Sequence, residues 1–149
     1  MRRQGRHLAR DQRGTALLET ALTLPLMLLV SIGILEFGRA YQTWQILTNA
    51  AREGARIAVL PGTTDDAVSA RVATYLTDGQ IEAPDAADVS IARDEEISIG
   101  SGTASASRVT VTYPYEFIVL QPVAQLVNPA SDVGAPLTMT ASALMRNEQ

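Results

Sequence analysis

The sequence predicts an α+β chain in which one long N-terminal helix packs on a small antiparallel sheet. Three observations predict it. Residues 15–35 form an apolar run whose only charge is Glu19. Apolar residues then keep a helical spacing as far as Ala58, before Pro61-Gly62 stops the helix. Beyond Ile81 the period changes from helical to alternating, which marks strands. The 149 residues suffice for one domain with a modest core once the apolar run is subtracted, and no linker separates a second.

Charge is distributed along the chain in two blocks. Residues 1–14 hold Arg2, Arg3, Arg6, Arg10 and Arg13 against Asp11, a net of +4. The remaining seven arginines face fifteen acids, a net of −8, which together give the −4 of the whole chain. A basic tip, an apolar run and an acidic body read as membrane topology. The acidic body repels phosphate backbones, so no nucleic acid is expected as a partner. There is no cysteine, which removes disulfides, thiolate nucleophiles and cysteine metal sites.

The 21 residues of the apolar run span about 31 Å as a helix, close to one bilayer core. Arginines before it, and Glu36 with Arg39 after it, place the N-terminus in the cytoplasm and the body outside. Pro25 removes the hydrogen bond to the Ala21 carbonyl, so a kink is expected there, with Thr23 or a neighbouring helix serving the freed group. The organisation expected is a basic cytoplasmic leader at 1–14, a transmembrane helix at 15–35 and an extracytoplasmic domain at 36–149. Three fates are open to such an N-terminus: a cleaved secretory signal, an uncleaved signal anchor, or trimming of the leader alone. A signal-peptidase cut near Gly33 or Ala40 lacks good small-residue spacing, and an acid within the apolar run is unusual for a secretory signal.

Gly14 follows Arg13, and Glu19 is the fifth residue after it. This resembles the type IV prepilin processing site. The resemblance implies cleavage by a membrane prepilin peptidase between Gly14 and Thr15, with loss of the leader and retention of the helix. Family sites often carry Phe or Tyr after the acid, where this chain has Thr20. An intramembrane carboxylate costs about 2.5–3.5 kcal/mol at the bilayer centre, and less near an interface, unless it finds a partner. A cut at Thr15 would create an α-amine, mostly protonated at neutral pH, one helical turn from Glu19 on the same face. Glu19 then pairs with that amine or with a neighbouring subunit's, or it snorkels to the cytoplasmic headgroups.

Downstream, Phe37, Tyr41, Trp44, Leu47, Ala51, Ala55 and Ala58 recur at spacings of three and four and mark one apolar face. The "LLETAL" start, Pro25 in the span, "EFGRAY" at its exit and "LTNAAREGAR" beyond are together similar to the TadE-like family, over residues 14–60. "VTVTYPYEF" and "LTMTASALMRNE" resemble family members more weakly. The resemblance implies a pilin-like fold and a pseudopilin or minor pilin of the tight adherence (Tad, type IVc) pilus system. Its implied partners are the membrane, the prepilin peptidase, other pilins or pseudopilins, and Tad inner-membrane assembly proteins. Small residues at Ala50, Ala51, Gly54, Ala55 and Ala58 permit close approach to the chain's own sheet or to a neighbouring helix. Arg52, Glu53 and Arg56 read as a solvated face with a weak i,i+3 pair.

In the outer body, residues 63–78 read as a second helix. Thr63 or Thr64 would cap it, Asp65 and Asp66 complement its positive end, Val68, Val72, Tyr75 and Leu76 form its apolar face, and Gly79 follows its close. Residues 81–87 read as a linker. Strands are expected at 89–92, 97–99, 108–115 and 137–145, with Val109, Val111 and Tyr113 on one face and Thr110 and Thr112 on the other. "IGSGTASAS" reads as a flexible hairpin loop, 122–136 as an irregular connection, and Asp94, Glu95 and Glu96 beside Asp88 as a hydrated hairpin turn.

Signs of catalysis are missing from this pattern. The one histidine, His7, lies in the leader, so serine nucleophiles lack their usual partner after processing. "IGSGTAS" is followed by a strand rather than a helix, which argues against phosphate binding. The acidic run lacks EF-hand spacing. Trp44 and its aromatic neighbours suit a membrane interface or the core. The expectation is a single-pass inner-membrane pseudopilin, not an enzyme, with no cofactor or metal. The rivals are an uncleaved scaffold of the same machine and a signal-anchored binding module.

Overall fold

The computed structural model describes residues 5–100 and 102–147. Arg2 and Arg3 of the leader lie outside these, as do the side chains of Arg6, His7, Arg10 and Arg13. The elements are α1 (Gly5–Ala58), α2 (Asp65–Asp78), β1 (Asp88–Ile99), β2 (Gly102–Tyr115), α3 (Leu120–Val127) and β3 (Leu137–Arg146). The strands form one antiparallel meander in the order β1-β2-β3, against which α1 packs, giving the expected α+β arrangement.

Helix α1 runs 54 residues and continues unbroken through Pro25. Hydroxyls in its first half return to their own helix: Thr20 donates to the Ala16 carbonyl, Thr23 to that of Glu19 and Ser31 to that of Met27. Such back-bonding hides a hydroxyl where no water is at hand. Thr23 therefore serves Glu19 rather than the Ala21 carbonyl freed by Pro25.

The second half of α1 supplies the core. Its buried positions are Glu36, Ala40, Leu47, Ala50, Ala51, Gly54, Ala55 and Ala58, and they meet Val68, Val72 and Leu76 of α2 and Val109, Val111, Tyr113, Met139 and Ala141 of the sheet. Phe37, Tyr41 and Trp44 are not at the centre of this face; they lie about 50–110° round the helix from it and are exposed. The helix buries small residues because it must lie close to α2 and the sheet at once. A Cβ on Gly54 would come within 2.7 Å of Val72 Cγ2 and 3.1 Å of Val109 Cγ1. A Cβ on Gly79 would meet Ile46 Cγ2 at 2.6 Å. Gly79 closes α2 at φ −73°, so close approach to α1, not a left-handed turn, is what this position requires.

Thr64 caps α2, its hydroxyl accepting from the Ala67 amide at 3.3 Å. The expected linker holds a short 3-10 turn, Pro84–Ala86, and buries Ile81. The two short strands expected at 89–92 and 97–99 are one strand, interrupted by an irregularity between Ala92 and Glu95 where Asp94 takes φ +57°. Nor is "IGSGTASAS" a long loop: pairing continues to Ile99↔Gly102, and most of the stretch is strand. The acidic run sits at that irregularity instead of a hairpin turn. Glu95 receives two hydrogen bonds from Arg108, which lower its pKa, and Asp94 accepts from Ser105 and Asn147. In β2 the expected alternation holds, with Val109, Val111, Tyr113 and Tyr115 buried. Within 122–136 the structure places most of α3, so that connection is partly helical.

Arg93 ties β1 to the far end of α1. It follows Val89 and Ile91 at the next inward position and donates to the Ala58 carbonyl at 2.9 Å, the Thr63 carbonyl at 2.9 Å and Asp65 Oδ1 at 2.6 Å. One guanidinium thus satisfies a carbonyl at the negative end of α1 and a carboxylate at the positive end of α2.

Candidate functional site

Two parts of α1 carry functional candidates: the apolar first half, and the junction where it meets the α+β domain. In the first half, Gly14 and Thr15 are helical and exposed, and Glu19 lies one turn further on with its carboxylate exposed. Leu17, Leu18, Leu22, Leu24, Leu26, Met27, Leu28, Leu29 and Val30 are all exposed too, so none of the described residues covers this surface. Helix α1 is long and apolar enough here to cross a membrane.

The junction is built around Glu36, which sequence reasoning used only as a flanking charge. Its side chain is buried, with the residue 6% exposed, and Oε2 accepts the Ile118 amide at 2.9 Å. The Tyr115 hydroxyl donates to the Glu36 carbonyl at 3.4 Å. Arg39, one turn on, lies 3.8 Å from Glu36, bonds Glu82 Oε2 at 3.1 Å and the Glu116 carbonyl at 2.7 Å, and stacks over the Tyr115 ring at 5.1 Å. Phe117 packs edge-on against both Tyr115 and Phe37. These contacts clamp the segment after β2 to the helix, so charges that would disrupt an apolar surface are neutralised within the fold. Burial raises the pKa of Tyr113 and Tyr115, and the Tyr113 hydroxyl donates to the Glu82 carbonyl.

Beside the junction an open cleft of about 790 Å³ lies between α1, residues 79–86 and residues 113–118. Arg39, Gln42, Glu82 and Tyr113 are among its lining residues. The Arg39 Nε is buried without a hydrogen-bond partner among the described residues. The same residues contain no cluster of metal-ligating side chains.

The small-residue positions lie elsewhere. Ala51, Gly54 and Ala55 are buried by the chain's own α2 and sheet, which leaves them no surface for a neighbouring helix in this conformation. Beside them, Glu53 is more than part of a solvated face. It holds Arg56 at 2.8 Å and Arg71 of α2 at 2.9 Å, and these two guanidinium groups lower its pKa to about 2. The 18-residue separation of Glu53 and Arg71 explains why no local pattern revealed the pair. For Glu36 a signal existed, since a lone acid next to an apolar run asks for a partner, but the partner is a backbone amide 82 residues away.

Comparison with known proteins adds one finding. Residues 14–56 match the family described as TadE-like protein. The match begins at Gly14 and ends two residues before α1 does. No curated protein and no solved structure matches the chain.

Proposed function

We propose that this chain, TadE-like over residues 14–56, is a single-pass membrane pseudopilin or minor pilin that takes part in assembling a Tad-type pilus or a related secretion machine. The observation that carries the reading is the coincidence of that match with a helix whose apolar surface the described residues leave uncovered. Apolar side chains on this scale need lipid or other apolar helices around them. The role is structural rather than catalytic.

In this reading the N-terminus is cytoplasmic, the α+β domain is extracytoplasmic, and a prepilin peptidase cuts after Gly14. The new α-amine of Thr15 and the Glu19 carboxylate, one turn apart, then pair within one chain or between neighbours. The penalty on an unpaired intramembrane charge makes Glu19 a register mark for lateral association of helices. Other pilins or pseudopilins and the inner-membrane assembly proteins of the machine are the partners.

N-terminal sequencing and intact-mass measurement of protein from native membranes test the processing step. A mature start at Thr15 is expected; a start at Met1 overturns cleavage and leaves an uncleaved scaffold, and a start near Ile34 or Tyr41 means a secreted domain. Glu19→Ala tests the register role. It is expected to insert normally yet impair assembly, and normal pili or complexes in that variant would refute the role.

A further inference from the structure

Seen in sequence, Glu36 and Arg39 end the apolar run at Leu35. In the folded protein they do not end the apolar surface. Between Glu19 and Arg52 they are the only charged residues of α1. Glu36 is buried under the Ile118 amide, and Arg39 is turned onto Tyr115, Glu82 and the Glu116 carbonyl. Exposed along one helix face, at alternating spacings of four and three, is a stripe of Val30, Ile34, Phe37, Tyr41 and Trp44. Phe37, Tyr41 and Trp44 are 61%, 63% and 44% exposed. Beside them the clamped segment presents Ile118, 57% exposed, and Val119.

We infer that the outer surface of the bilayer meets this protein at Phe37, Tyr41, Trp44 and Ile118, and not at Leu35. The domain is seated on the lipid, and Glu36 is the clamp that holds residues 117–119 at that depth. This rests on the reading of α1 as a membrane span. With Glu19 just inside the cytoplasmic boundary of the hydrocarbon core, about 20 helical residues of that core reach to Arg39. Phe37 then lies at the hydrocarbon boundary, and Tyr41 and Trp44 extend about 3 and 7 Å into the headgroup layer, the depth that aromatic side chains favour. The occupant is lipid because the stripe is a direct continuation of the uncovered apolar surface of the span. The exposed acids Glu82 and Glu116 next to the clamp favour a zwitterionic headgroup over an anionic one.

Trp44 is the only tryptophan, so it reports on its own depth. The full chain is reconstituted in phosphatidylcholine vesicles and first tested for resistance to alkaline extraction. Trp44 fluorescence is then read with lipids brominated near the headgroup end or at the acyl-chain middle, and with iodide in the water. The expected result is retention in the vesicles, weak iodide quenching, and about twofold stronger quenching by the shallow bromines than by the deep ones, as for a residue at the interface. As the chain lacks cysteine, Ile118→Cys carrying an environment-sensitive dye gives a second reading, with Asp66→Cys on α2 as the aqueous reference. Emission from position 118 is expected to shift to the blue of that from position 66. Loss of the chain on extraction overturns the span and this inference together. Retention with iodide-accessible Trp44 overturns this inference alone, and so does shielding from both iodide and bromolipid, which would mean that another protein chain covers the stripe.

Discussion

The two halves of α1 share one backbone and bury opposite kinds of surface. The first half carries large apolar side chains and leaves nearly all of them exposed; the second carries alanines and glycine and hides nearly all of them. Large side chains gain most from an apolar solvent outside, whereas a helix lying on another helix and a sheet gains most from close backbone approach. Apolar content alone therefore does not identify a core: residue size on the apolar face tells the uncovered half from the protein-facing half. The division is not at Leu35, because Phe37, Tyr41 and Trp44 belong by exposure to the first half and by position to the second.

Substitutions in one half should leave the other unaffected, and the strongest tests are those that could violate this independence. Leu28→Arg, in the middle of the uncovered surface, is expected to cost membrane insertion about 3 kcal/mol. A glycosylation-mapped insertion assay measures this, while urea unfolding of the α+β domain should stay unchanged; a destabilised domain would show that the halves are coupled. Gly54→Leu should do the reverse. Its side chain has no room between Val72 and Val109, so unfolding stability should fall by about 1–3 kcal/mol, while membrane retention is kept.

Within the buried half, Glu53 provides a test by pH. Its pKa is depressed from 4.5 to about 2, so the stabilisation it contributes is complete above 4.5 and lost as pH falls toward 2. Glu53→Gln should therefore destabilise the domain at neutral pH by about 1–2 kcal/mol, a range that discounts for the solvent-screened arginines. Wild type and variant should converge in urea titrations as the acid limit is approached, and a pH-independent gap would remove the ion pairs as its cause. The smallest effect expected is that of Thr64→Ala, about 1 kcal/mol from the lost α2 cap. Thermal melts of the domain would detect it.

Local chemistry made much of the fold legible. The change of period near Ile81, the cap at Thr64 and the alternation of Val109, Val111 and Tyr113 are written in neighbouring residues, and the structure follows them. So does the long helix, because nothing between Leu35 and Ala58 breaks it. The misreadings have a common origin. Asp94, Glu95 and Glu96 resemble a turn until β2 and the C-terminal Asn147 supply Arg108, Ser105 and an amide as partners. Phe37, Tyr41 and Trp44 resemble core until the helix is seen to rest on Ala40, Leu47 and Ala51 instead.

By itself, then, the sequence determined the class of the fold, the reach of α1, and the spacing of Gly14 and Glu19 on one apolar run. These depend on contacts within a few residues, or on the total length of apolar chain. Tertiary structure alone decided which face of α1 is inside and how its charges are neutralised. It brought Glu36 to the Ile118 amide, Glu53 to Arg71 and Arg93 to the end of α1. Each pairing joins residues between 18 and 82 positions apart, a separation over which no periodicity in the chain specifies a partner. Only the docking of α1 and α2 with the sheet, set by the room left at Gly54 and Gly79, brings such residues together.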